Sequence, residues 1–130
     1  MIKAVVITRD KEMNALIHQA VEGLSVKIVG DCRSVKEAVE VFRHESVRLV
    51  VLDLFLGESS GLDAIKTLKK MDETLTIILL SRMSGRSLLE KAFRFGAGDT
   101  LIYPCGLDSL RQTIAHRLDR IDDGMVVFHE

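Results

Sequence analysis

The sequence predicts an α/β domain in which a five-stranded parallel sheet carries helices on both faces. Three observations predict it. Apolar, β-branched runs alternate strictly with segments of helical period along the 130 residues. The third and fourth runs, "VRLVVLD" (47–53) and "LTIILLS" (75–81), are apolar along their length, as strands buried on both faces are. The third run ends in Asp53, a carboxylate whose burial is costly unless something compensates it.

The elements follow in order. "IKAVVI" (2–7) is the first strand, and Met13, Leu16, Ile17, Ala20 and Val21 mark the helix after it. "VKIVG" (26–30) is the second strand. Ser34, three residues before Glu37, has the spacing of a capping box and opens a helix bearing Ala38, Val41 and Phe42. The third strand is followed by a helix through Leu62, Ile65 and Leu68. The fourth precedes a helix through Leu88, Leu89, Ala92 and Phe93, which Gly96 stops. "TLIY" (100–103) is the fifth strand, closed by Pro104, and the last helix uses Leu107, Leu110, Ile114, Leu118 and Ile121. Right-handed crossovers leave the flavodoxin-like order 2-1-3-4-5 as the leading topology. In such sheets the site lies beyond the carboxyl ends of the strands, which points to Thr8, Arg9, Asp10, Asp53, Ser81 and Tyr103.

Composition sets the frame. Apolar residues make up 47% and charged residues 28%, with a net charge of −1, as in an ordinary globular domain. No nucleic-acid or membrane surface is expected from that balance. Cys32 and Cys105 form no CxxC pair and read as free thiols of a cytoplasmic protein. The opening "MIKAVVITRDK" is too short an apolar run for a leader or a span. The four histidines stand at no metal-ligand spacing and read as solvated helix-face residues. "RMSGRS" (82–87) is open to two readings, an anion site at a helix start or a loop with a helix cap. The domain is read as 1–121 with a tail at 122–130, in which Met125–Phe128 could add a strand to a neighbour, dock on the domain or begin a linker.

Three segments together resemble a response-regulator receiver domain, over about residues 2 to 120. "LDLFLGESSGL" resembles the phosphoacceptor strand and its loop, with Asp53 at the acceptor position and Gly61 at the family's glycine. "IILLS" resembles the strand ending in Ser or Thr, here Ser81, and "FGAGDTLIYP" resembles the GAxDxLxKP segment. The resemblance implies a cis Tyr103–Pro104 bond, a histidine kinase or an output protein as partner in phosphorelay signalling, and pairing through the helix 4–strand 5–helix 5 face near Arg94, Phe95 and Arg111.

The same comparison shows departures. Where receivers carry an acidic pair that holds Mg²⁺ with the acceptor, this chain has Thr8 and Arg9, and only the following Asp10 is acidic. The lysine before the proline is Tyr103, and the switch aromatic is Thr100. Mg²⁺ prefers octahedral oxygen donors, so Asp53 with Asp10 is a thin set, and no cofactor is expected. A phenol stays neutral where the lysine would bring charge. Two missing charge-stabilising parts at ~2–4 kcal/mol each would slow phosphorylation by about three to six decades. Arg9 could stand in for the metal by pairing with Asp53 or clamping a phosphoryl oxygen, or its side chain could run out into solvent.

Two functions follow as expectations. One is a degenerate receiver, or pseudo-receiver, acting as a phosphorylation-independent interaction module of a two-component system. The other is a working receiver phosphorylated on Asp53, with Arg9 replacing the metal. A flavin site would need a Ser/Thr/Gly-rich loop that "TRDKEMN" lacks, and no nucleophile–base pair suggests an enzyme.

Overall fold

The computed structural model describes residues 1–127, with side chains described through Ile121. Numbered along the chain, the strands are β1 (Ile2–Ile7), β2 (Val26–Cys32), β3 (Val47–Asp53), β4 (Phe55–Leu56), β5 (Ser59–Ser60), β6 (Thr76–Ser81) and β7 (Asp99–Ile102). The helices are α1 (Lys11–Ala20), α2 (Val35–Phe42), α3 (Gly61–Met71), α4 (Arg86–Phe95) and α5 (Leu107–Val127). The long strands form a parallel sheet in the order β2-β1-β3-β6-β7. That is the expected 2-1-3-4-5 once the β4–β5 hairpin is set aside. The hairpin itself has no counterpart in the sequence reading, because strands of two residues carry no periodicity to detect.

Alternation along the strands builds two apolar layers. Val5, Ile7, Val50, Leu52, Ile77 and Leu79 belong to one layer, which α2, α3 and α4 cover with Ala38, Ile65, Leu68 and Ala92. Val6, Leu49, Val51, Ile78 and Leu80 belong to the other, under Met13 and Ile17 of α1 and Leu110 and Ile114 of α5. Most of these side chains are fully buried, and each contributes about 1.5–3 kcal/mol by leaving water.

Caps fix where helices start at the carboxyl edge. Ser34 caps α2 by accepting the Glu37 amide at 3.2 Å, as the spacing predicts, while Glu37 reaches back past the cap to accept the Arg33 amide at 3.2 Å. Ser60 caps α3 through the Leu62 amide at 3.1 Å. Gly96 ends α4 as expected. The second strand runs on to Cys32 and the fifth stops at Ile102, so Tyr103 lies just beyond it, ahead of a cis bond to Pro104. The last helix continues to Val127, past the boundary read at 121; Phe128, which closes the apolar tetrad, lies outside the described residues.

Both cysteines are free, and burial, aided by Glu37 and Asp31, pushes the Cys32 thiol up to about 11, so it stays protonated at neutral pH. Among the described residues no helix is long and apolar enough to cross a membrane.

Candidate functional site

Asp53 ends β3 at the centre of the sheet and is only 3% exposed. Its Oδ1 accepts the Phe55 amide at 3.0 Å, and its Oδ2 accepts the Thr8 hydroxyl at 2.8 Å. Thr8, buried just after β1, in turn accepts the Asp10 amide on its Oγ1 at 3.0 Å. A relay of donors thus runs from the start of α1 to the carboxylate. Such charge-assisted bonds are what allow the carboxylate to stay inside the fold.

Asp10 turns its side chain to other work. Its Oδ1 caps α1 by accepting the Glu12 and Met13 amides at 2.9 and 3.2 Å, and its Oδ2 accepts from the Arg82 guanidinium. Partial burial pushes the Asp10 carboxyl up, but the Met13 amide, Arg82 and the Glu12 amide outweigh it and hold the group below the usual range. Arg82 lies 4.8 Å above the centre of the Tyr103 ring. Its bond to Asp10 drives its own pKa upward against slight burial, and the charges of Asp10 and Asp53 push the same way. Burial, followed by the charge of Asp10, raises the Tyr103 phenol, which stays neutral.

Arg9 goes elsewhere. Its side chain lies over the tip of the hairpin, where a Cβ on Gly57 would come within 3.1 Å of Nη1. Gly57 has φ +74°, a backbone that glycine adopts freely, and its missing side chain leaves the guanidinium its place. Of the two readings of Arg9, the pairing with Asp53 is not made and the side chain is exposed: the carboxylate is bonded by Thr8 and Phe55, and the arginine over the cleft is Arg82. Ser81 is buried at the end of β6, where its hydroxyl donates to the Met83 carbonyl at 2.7 Å and accepts the Met83 amide at 3.0 Å. An apolar hollow of about 610 Å³ opens in front of Asp53, lined by Leu54, Phe55, Leu62, Met83 and Leu88.

The model of the response regulator receiver domain family matches residues 4–115. The chain belongs to that family. It is 29% identical over 103 residues to the chemotaxis protein CheY of Thermotoga maritima, covering 78% of this chain and 86% of that one. It is 34% identical over 92 residues to the luminescence regulatory protein LuxO of Vibrio campbellii, covering 71% of this chain. The match spans only 20% of LuxO's length. Among solved structures, the receiver domain of a LuxO repressor protein from Vibrio parahaemolyticus superposes with a TM-score of 0.86 at 22% identity, covering 96% of this chain and 95% of that one. A CheY-like receiver from Methanospirillum hungatei gives 0.83 at 14%, covering 95% and 98%.

In this receiver, Thr8, Asp10, Asp53, Ser81 and Tyr103 do gather at one edge, and Arg9 alone turns away. Arg82 was absent from the candidates, although its signal was present: it directly follows Ser81, at a strand end of the kind that supplied the others. "RMSGRS" brings Arg82 to the cleft, and the N-cap of α4 is Gly85, which offers no side-chain cap. Of the residues expected on the helix 4–strand 5–helix 5 face, Phe95 instead packs towards α3, with Lys66 Nζ 4.2 Å above its ring, and Arg111 donates to the Ala20 and Glu22 carbonyls beside α1. Among the described residues, the large exposed apolar side chains on those elements are Phe93, Ile102 and Leu107.

Asp10→Asn keeps a good cap but loses the charge that faces Arg82, and should cost about 0.5–1.5 kcal/mol at pH 7. The folded pKa of Asp10 is depressed, so its contribution is present above the unfolded carboxyl pKa and is lost as pH falls through the folded one. Urea unfolding of both proteins should show the gap at neutral pH and its closure in acid.

Proposed function

We propose that this receiver acts in signal transduction as a phosphorylation-independent, cytoplasmic protein-interaction module that holds no Mg²⁺. The observation that carries the reading is the Thr8 hydroxyl on Asp53 Oδ2. It sits where receivers of the usual pattern bring an acid, and it offers a donor where a metal needs an acceptor. Asp10 is committed to the α1 cap and to Arg82, so Asp53 has no second free carboxylate beside it. The donor set does not fit an octahedral ion.

The output side supports the same reading. Ser81 is engaged with Met83, Tyr103 lies under Arg82, and Thr100 has no ring to rotate inward. A site already satisfied from within has no second arrangement for a phosphoryl group to select. The partner, a histidine kinase or an output protein, then meets a surface set by the fold.

A second reading is favoured by one observation, the guanidinium beside Asp53. Arg82 could neutralise a phosphoryl group there, in the role first expected of Arg9.

Intact mass after incubation with acetyl phosphate, with and without Mg²⁺, separates the two. No gain is expected under conditions that label a reference receiver to completion, because the missing parts slow transfer by about three decades or more. A phosphate-sized gain abolished by Asp53→Ala would overturn the module reading. If that gain ignored Mg²⁺ and vanished in Arg82→Ala, the second reading would stand.

A further inference from the structure

We propose that the groove between the β4–β5 hairpin and the start of α2 binds a nucleotide, with its phosphates on Arg9, Arg33 and Lys36 and its base on Phe55. The groove has a volume of about 630 Å³, within the usual range of small-molecule sites. Arg9 comes from the β1–α1 loop, Arg33 and Lys36 from the entry to α2, and Phe55, Glu58 and Ser59 from the hairpin. These elements are distant in sequence and meet only through the sheet order.

Its cations, Arg9, Arg33 and Lys36, stand in no ion pair among the described residues. Of the acids nearby, Asp10 is paired with Arg82, Asp31 accepts from His18 at 2.7 Å and Asn14 at 2.9 Å, and Glu37 accepts the Arg33 amide at 3.2 Å. Glu58 alone brings negative charge to the lining. The net charge of −1 therefore conceals a local cationic cluster.

Position and chemistry agree on the ligand. Arg9 is exposed, and its guanidinium lies over Gly57 at the hairpin, on the lining of the groove. Phe55 is 65% exposed, yet its backbone is paired to Ser60, so the ring is presented from a fixed ribbon. Guanidinium groups fork onto phosphate oxygens, and an aromatic face stacks with any base. All three cations and the ring line one cavity of small-molecule size. An acidic protein segment would instead call for charge strung along an element. The groove uses neither Asp53 nor Ser81 nor Arg82, so the inference stands apart from the phosphorylation question.

Titrating the chain with ATP, pyrophosphate and adenosine, without Mg²⁺ at low salt, tests it by calorimetry and by amide shifts at residues 9, 33–36 and 55–59. ATP should saturate at those residues, also in Asp53→Ala, and weaken as salt rises. Arg9→Ala with Arg33→Ala should weaken ATP and pyrophosphate at least tenfold. Phe55→Ala should weaken ATP about tenfold and leave pyrophosphate unchanged. Glu58→Gln, which removes the acid on the lining, should tighten both. Circular dichroism establishes that each variant is folded. ATP that fails to saturate at millimolar concentration would overturn the proposal. So would pyrophosphate matching ATP in wild type and Phe55→Ala, or polyglutamate displacing ATP at equal charge, which would make the groove a dock for acidic protein.

Discussion

Gly61→Ala is expected to lower the unfolding free energy by about 2–4 kcal/mol. Gly61 is the first residue of α3, and helix propensity alone would favour alanine by about 1 kcal/mol. Sterics reverse the sign. A Cβ there would lie 2.6 Å from the Leu54 Cα, 2.7 Å from the Asp53 carbonyl oxygen and 3.0 Å from the Leu54 oxygen. All three are backbone atoms at the end of the central strand, with no rotamer to escape into. The Gly61 amide also donates to the Leu54 carbonyl at 2.7 Å, so the clash strains the loop that supplies the Phe55 amide to Asp53. Urea unfolding followed by circular dichroism measures the effect. Gly106→Ala is the control: its added Cβ meets nothing within 4 Å, and the change should stay within about 0.5 kcal/mol.

Thr8→Asp should cost about 2–3 kcal/mol in chelator and recover much of it in Mg²⁺. The Thr8 oxygen lies 2.8 Å from Asp53 Oδ2, and both residues are buried. A carboxylate in its place sets two like charges together and removes the hydroxyl donor from Asp53. Such a pair raises one folded-state pKa above its unfolded value. The folded variant then binds more protons than the unfolded chain, so its deficit shrinks as pH falls and grows as pH rises. Mg²⁺ should shrink the deficit as acid does, because two adjacent carboxylates supply oxygen donors to one ion. Thermal unfolding in EDTA and in Mg²⁺ across pH reads both effects. A wild-type protein stabilised by Mg²⁺ as strongly as Thr8→Asp would overturn the argument from the donor set.

These two predictions draw on different kinds of knowledge. That an aspartate ends a buried central strand, and that Thr8, Arg9 and Tyr103 follow other strands, is legible from the chain. Strand runs and helix periods are local properties, and one parallel sheet with short right-handed crossovers brings every such end to one edge. The residue types at that edge, with Thr8 and Arg9 after the first strand and Tyr103 before the proline, are therefore read from the chain itself.

Direction was not legible. Arg9 and Arg82 each directly follow a residue of the cleft, and both are long, flexible and cationic. Which of them lines the hollow with Asp53 depends on where the two-residue strands of the hairpin lie and on an Asp10 carboxylate that caps α1 and accepts from Arg82. Those are contacts between segments far apart in sequence, each too short for periodicity to register. The pattern of apolar residues determined the fold and the place of the site, because burial repeats along the chain. Tertiary packing alone decided which arginine lines the hollow with the carboxylate and where the cations of the groove gather, because a side chain's direction is settled by whatever meets it in space.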